Sequence, residues 1–408
     1  MAASQSASAS PRPAGRHAPE FDAPAPAPSA RPLRIGIDIR RLNDFGVGTY
    51  IKNLLRAFAR IRPSEAYILI GNEGQFEQLG ELHENFEFHR YPRRFDSKRS
   101  HVDFLARTRH LNLDVFHMPH RWVPYFVSGA YVATLHDINN ILYPSDEASP
   151  LRERIRRHML ARGLRRAAKV IAVSEATKRD AITHLGLASS QIEVVHGAID
   201  EQVAKPVQAA ELRETLSRYQ IENPFLLYAG RIQPHKNIPR LIEAFAVVRA
   251  ELENHPRYRN LGLIVIGDDL DSFPAVRHAV MRTRVQDRVR FLGFVPVETL
   301  RCFYEAATVF VFPSLYEGFG LPPLEAMAHG TPVVTSNASS IPEAVGDAAV
   351  LVNPEHVFDI ASGVRQVLLD DGFRDDLRRR GFEQVKRFSW DRAARRVLQI
   401  YRDVSSRR

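Results

Sequence analysis

The sequence predicts an α/β protein made of two doubly wound, Rossmann-like parallel-sheet domains facing a central cleft. Three observations predict this. The chain has 408 residues and is 44% hydrophobic, enough for two cores. Short apolar runs of strand length alternate with longer runs of helical period. That alternation occurs twice, on either side of a weakly patterned stretch at 198–222.

Residues 1–32 are dominated by Ala, Ser and Pro. Such a segment buries too little apolar surface to offset ordering entropy, so it reads as a disordered tail. The folded part opens with the strand Leu33 to Ile39, then the turn Phe45-Gly46-Val47-Gly48-Thr49. Ile51, Leu54, Leu55 and Phe58 follow at amphipathic-helix spacing, and Tyr67 to Ile70 is the next strand. Strand, glycine turn, helix, strand is a βαβ unit. Further strands are expected at 114–117, 131–135, 169–173 and 192–195, with helices at 150–168 and 175–185. This defines a first domain over 33–197 and a linker over 198–222. A second domain over 223–389 has strands at 225–229, 263–266, 289–292, 309–312, 332–335 and 349–352. Its helices fall at 238–252, 272–284, 297–306, 322–329, 356–370 and 373–387. A basic helix covers the final segment, 390–408; Val397, Ile400 and Tyr401 give it an apolar face.

The formal charge is +9 and the pI about 9.8, which favours anionic partners: nucleotide phosphates, nucleic acid or an anionic membrane surface. A single cysteine, Cys302, rules out an internal disulfide and reads as a small buried residue. No run of about 18 apolar residues occurs, and the N-terminus lacks the basic-then-apolar order of a signal peptide. The expectation is a cytoplasmic protein.

Four segments carry chemistry. Gly46-Val47-Gly48 follows the first strand and opens a helix, a place where close backbone approach and free N–H groups suit a phosphate; a plain tight turn is the alternative. Thr134-Leu135-His136-Asp137 ends a strand, so His136 can exchange hydrogen bonds with a ligand, with Asp137 to orient it. His117 and His120 stand at another strand end in H-x-x-H spacing, but no further ligand pair joins them, so no metal is expected. In Gly230-Arg231-Ile232-Gln233-Pro234-His235-Lys236-Asn237, Arg231 and Lys236 place two cations beside a helix start, as a diphosphate requires. The fourth segment runs from Pro313 to Ala328. Glu317, Gly318, Phe319, Gly320 and Leu321 form a glycine loop whose N–H groups would face the cleft, and Glu325 lies in the following helix. Ionised carboxylates accept hydrogen bonds, and sugar hydroxyls donate them.

Together these segments resemble glycosyltransferase family 4, a family of retaining enzymes with the GT-B fold. The resemblance rests on the Glu-x7-Glu pattern of Glu317 and Glu325, on Gly230-Arg231 with Lys236-Asn237, on Gly330 to Val334, and on Ser340-Ile341-Pro342-Glu343. In the first half it rests on Gly46-Val47-Gly48, His136-Asp137 and Val173-Ser174-Glu175-Ala176-Thr177. It implies roles. Glu317 would contact the transferred sugar and Glu325 the ribose. Arg231 and Lys236 would neutralise the diphosphate, His136 would sit by an outer sugar hydroxyl, and the base would lie near Phe294-Val295. The final helix would cross back to the first domain. The donor would be a nucleotide-sugar, with no cofactor and no metal. GDP-mannose is favoured by similarity to mannosyltransferases of bacterial surface-polysaccharide pathways, and a UDP-sugar is the alternative.

The acceptor is expected at the first domain, as a saccharide or lipid-linked saccharide. Two basic segments stand there, 90–109 (with Arg94 and Lys98 among its cations) and 152–169, and suggest peripheral attachment to the inner face of a membrane. A dehydrogenase would need a full G-x-G-x-x-G with a distant acidic residue, which is absent. A nucleic-acid binder would need aromatic platforms among the basic residues, which these segments lack. Asp268-Asp269 and Asp370-Asp371 are adjacent pairs of surface-loop character, not a D-x-D metal motif.

Overall fold

The structure is a computed structural model that describes residues 32–406, apart from 62–63, 81, 94–96, 98, 122, 124–126, 128, 145–148 and 269–272. The Ala/Pro/Ser-rich tail, Arg94, Lys98 and Asp269 lie outside the described residues. Two parallel sheets carry the fold. The first has seven strands: β1 (Arg34–Asp38), β2 (Ala66–Gly71), β3 (Phe86–Arg90), β4 (Val115–Met118), β5 (Ala130–Leu135), β6 (Lys169–Ala172) and β7 (Ile192–Val194), in the spatial order β3-β2-β1-β4-β5-β6-β7. The second has six: β8 (Phe225–Ala229), β9 (Gly262–Ile266), β10 (Val289–Gly293), β11 (Val309–Phe312), β12 (Val333–Ser336) and β13 (Val350–Val352), ordered β10-β9-β8-β11-β12-β13.

Each strand expected from the sequence is present within a residue or two. The expectation missed β3, which sits at the sheet edge with Glu87, Phe88 and Arg90 exposed and so lacks a buried run. It also missed the helix Ala209–Arg218 inside the 198–222 stretch. Only Thr215 of that helix is buried, so its apolar signal is weak.

The topology fixes where a ligand can sit. In each sheet the chain builds outward on one side, then returns to start the other. The reversal falls between β1 and β4 in the first sheet and between β8 and β11 in the second. Crevices form beyond the carboxyl ends of strands at such switch points. The Gly46 turn follows β1, the Arg231–Lys236 loop follows β8, and the Glu317 loop follows β11.

The terminal helix Trp390–Ser405 packs on the helix Val47–Ile61 and shares the core of Ile37, Phe58 and Tyr67. Its Tyr401 hydroxyl donates to His117 Nδ1 at 2.6 Å, and His117 Nε2 bonds Thr134 Oγ1 at 2.8 Å, which in turn donates to Tyr50. Burial, then the neighbouring His120, pushes His117 down to about 3, so the ring stays neutral. The Trp390 indole N–H donates to the Ile199 carbonyl. Tyr401→Phe leaves His117 Nδ1 unsatisfied in a dry core, and is expected to lower unfolding free energy by about 1–3 kcal/mol in urea titration. No described helix is long and apolar enough to cross a membrane.

Candidate nucleotide-sugar site

The cleft is lined from both sides. From the first domain comes the turn Gly46-Val47-Gly48. Gly46 holds φ +72, which L side chains rarely adopt, and a Cβ on Gly48 would fall 2.1 Å from the Leu42 carbonyl oxygen, so both positions call for glycine for different reasons. Phe45, ahead of it, is 60% exposed and meets Phe294 of the second domain, itself 69% exposed, with ring centroids 6.3 Å apart. The Arg231 guanidinium lies 5.8 Å from the Phe45 ring centroid and 3.8 Å from Asp268. Asp268 is therefore a neighbour of the cationic loop, not the bare surface residue its sequence context suggested. Asp370 and Asp371 belong elsewhere: Asp370 caps the helix Asp371–Val385, and Asp371 pairs with Arg257 and Arg374.

His136 ends β5. Its Nε2 lies 3.0 Å from the Pro119 carbonyl, which can only accept, so the proton sits on Nε2 and Nδ1 keeps its lone pair. The ring edge rests on Tyr50, 4.9 Å between centroids. Burial pushes its pKa down to about 4, so it is a neutral hydrogen-bond acceptor at physiological pH. Asp137 does not hold the ring, contrary to expectation. Its carboxylate accepts from Arg121 at 3.0 Å and from the Asn139 N–H at 3.1 Å. The two-residue spacing to Asn139 makes that local bond the nearer choice.

Lys236 and Glu317 meet directly. Lys236 Nζ lies 2.6 and 2.8 Å from the two Glu317 oxygens, and the side chains are only 14% and 11% exposed. The ammonium also stands 5.4 Å from the Phe312 ring centroid. The sequence had treated these residues separately, as a diphosphate cation and a sugar contact. They form one charge pair at the cleft.

The loop beyond Glu317 is held by its carbonyls. Ser339 and Ser340 hydroxyls donate to the Glu317 carbonyl, and Ser340 also to that of Phe319. Ser174 and Thr177 of the first domain donate to the Gly318 carbonyl at 2.6 and 3.1 Å. The buried Phe319 ring stacks on His196 and lies edge-on to Phe388. Gly320 holds φ +110 and caps the helix, which begins at Leu321, one residue before the expected prolines. Glu325 accepts from the Tyr304 hydroxyl at 2.8 Å.

Burial raises Glu325 from its ordinary 4.5 to about 7, against the lowering effect of Tyr304. Folding thus favours its protonated form. The penalty is absent below about pH 4.5, grows as pH rises toward 7, and is complete above it. Glu325→Gln keeps the Tyr304 bond without the charge. It is expected to be more stable than the parent at pH 8 by up to about 3 kcal/mol, with the gain gone at pH 4.5. Urea midpoints at the two pH values check this; an equal gain at both would refute the assignment.

Two residues outside the expected set fasten the domains together. The Tyr316 hydroxyl donates to Asp180 at 2.8 Å and accepts the Ile138 N–H at 3.2 Å. Glu343 accepts the N–H groups of Glu175 at 2.9 Å and Ala176 at 3.4 Å, at the start of the first-domain helix Glu175–Leu185, and pairs with His196. Those N–H groups and His196 hold its carboxyl below the usual range despite burial. An acid right after a helix-opening proline, and a tyrosine beside Glu317, were the available signals, but nothing in the sequence says which helix each would meet. His117 and His120 point to separate partners, His120 to Asp38 at 3.1 Å. Cys302 is fully buried.

Two doubly wound parallel-sheet domains, with a cation–carboxylate pair at the switch point of the second, form the GT-B architecture. Residues 46–203 match the family described as Glycosyltransferase Family 4, and residues 213–384 match Glycosyl transferases group 1. O-antigen chain mannosyltransferase B of Escherichia coli is 34% identical over 291 residues, spanning 71% of this chain and 74% of that one. The serotype-specific mannosyltransferase WbdA of Escherichia coli is 33% identical over 236 residues, 57% of this chain but only 28% of that longer protein. Among solved structures, Anabaena HepE in complex with UDP-glucose superposes with a TM-score of 0.70 at 18% identity, covering 91% of this chain and all of that one (100%). The chain belongs to glycosyltransferase family 4.

Proposed function

We propose that this glycosyltransferase is a retaining mannosyltransferase that moves α-mannose from GDP-mannose to a saccharide or lipid-linked saccharide in bacterial surface-polysaccharide synthesis. The reading includes a site at the cytoplasmic face of the membrane and no need for a metal. The observation that carries it is the Lys236–Glu317 pair at the switch point of the second sheet, on the loop whose Arg231 reaches Phe45 beside the Gly46 turn. In this reading Lys236 turns to the diphosphate while Glu317 and neutral His136 accept from sugar hydroxyls. Glu325 takes the ribose hydroxyls, with Phe294-Val295 beside the base. Arg231 and Lys236 provide the positive charge that a metal supplies in other transferases.

Substitution is on the front face. The bond from C1 to the departing phosphate oxygen breaks as the acceptor oxygen bonds C1 on the same side. The acceptor's proton passes to the leaving nucleoside diphosphate, whose charge Lys236 and Arg231 stabilise. The mannosyltransferase relatives favour mannose. HepE, solved with UDP-glucose, favours the alternative of a UDP-sugar donor. Transfer assays with GDP-mannose, UDP-glucose, UDP-N-acetylglucosamine and dTDP-rhamnose separate them, with and without a chelator, and with the product anomer read by NMR. Turnover with only a UDP-sugar would refute the mannose reading, and a β-linked product would refute retention.

A further inference from the structure

Beside the cleft, the first domain carries a groove of about 880 Å³ between the helix Pro150–Arg166 and the segment that follows His136. That volume lies in the range of sites for mid-sized ligands. Its wall is apolar where Ile141, Pro144, Leu151 and Ile155 line it, and cationic where Arg154 and Arg157 do. Leu151 and Ile155 are 66% and 54% exposed, one helical turn apart on the same face. The helix holds seven arginines and one acid, Glu153, which pairs with Arg156. Glu153 also lines the groove, but it pairs with Arg156, and Arg154 and Arg157 form no ion pair among the described residues.

The other basic segment differs. Arg93 and Arg107 both pair with Asp103, and Arg90 with Glu73. Its described cations are partly spent on neighbours, and no exposed apolar pair is described beside them. Exposed apolar side chains next to unneutralised arginines, around one groove, complement a molecule with a phosphate and a hydrocarbon chain.

The groove also has a direction. From His136 at the cleft the chain runs through the helix Asn139–Leu142 to Tyr143, whose ring lies 5.8 Å from His235 and 6.1 Å from Tyr316. Ile141 and Pro144, either side of Tyr143's neighbourhood, already line the groove. A ligand seated there can lead a saccharide past Tyr143 to His136.

We infer that this groove binds the phosphate-and-lipid end of a lipid-linked saccharide acceptor, with Arg154 and Arg157 on the phosphate and Leu151 and Ile155 on the hydrocarbon. The inference rests on the glycosyl-transfer reading above and adds where the acceptor's anchor sits.

The test is calorimetric titration of the full chain with farnesyl diphosphate, in saturating GDP so that the nucleotide site is filled. The expected result is saturable micromolar binding. Arg154→Glu/Arg157→Glu should weaken it about 30-fold or more, and Leu151→Asp/Ile155→Asp about 10-fold or more. These four side chains are exposed and the fold does not depend on them, so the GDP-induced thermal shift should match the parent's. Absence of binding, or equal binding by the arginine variant, overturns the inference. So does flotation with phosphatidylglycerol vesicles that farnesyl diphosphate cannot compete away, which would assign the groove to bilayer headgroups. If farnesyl diphosphate binds as expected but a prenyl-diphosphate-linked mannoside is not glycosylated, the groove stands and the acceptor reading of the function fails.

Discussion

Lys236→Ala is expected to lower kcat/KM by about 10²-fold or more, and to destabilise the protein as well. The two effects have different causes. Glu317 keeps only 11% side-chain exposure and takes both of its close contacts with Lys236 from one ammonium. Removing the lysine strands a carboxylate in a poorly solvated cleft; breaking such a pair from one side costs about 3 kcal/mol in buried cases, and somewhat less where some solvent reaches. The stranded charge would also repel an incoming diphosphate. Glu317→Gln placed on top of Lys236→Ala removes that charge. The double variant should therefore regain most of the lost stability but none of the turnover, because nothing then neutralises the leaving group. Chemical denaturation together with steady-state kinetics on the three variants reads this out. Recovery of turnover in the double variant would mean that Lys236 acts only by holding Glu317.

Both sheets, and the strand ends that build the site, were legible because buried parallel strands are short apolar runs bounded by turn residues. Phe225 to Ala229 and Val309 to Phe312 are such runs and match β8 and β11 to the residue. The exposed edge strand β3 has no such pattern. At the site, residue type was readable but partnership was not. Lys236 and Glu317 are 81 positions apart, and their meeting depends on β8 lying beside β11. The same holds for Glu343 on the helix at Glu175, 168 positions away. Asp137 shows the opposite failure: a neighbour in sequence looked like the partner of His136, yet the ring found a carbonyl 17 residues upstream.

Gly318→Ala is expected to lower kcat by about 10²-fold while leaving the melting temperature close to the parent's. At this position the loop of the second domain packs directly on the backbone of the first. A Cβ there would sit 1.9 Å from the His136 carbonyl oxygen and 3.3 Å from Asp137 Cβ. No flexible side-chain end can give way, since the obstacle is backbone. Reaching ordinary contact at 3.4 Å requires the loop to retreat by about 1.5 Å. That retreat breaks the Ser174 and Thr177 bonds to the Gly318 carbonyl and carries Glu317 away from His136. A displacement of about 1 Å at a reacting centre is worth roughly 10²-fold in rate. Folding should survive, because each domain keeps its own core: Ile37, Phe58 and Tyr67 on one side, Leu227, Phe310 and Val334 on the other. The matched control is Gly74→Ala, an exposed position where the nearest atom to a new Cβ is 3.9 Å away. Small-angle scattering should show Gly318→Ala more open than the parent and Gly74→Ala unchanged. Parent-like turnover in Gly318→Ala would show that the reaction does not depend on the closed contact between Gly318 and His136.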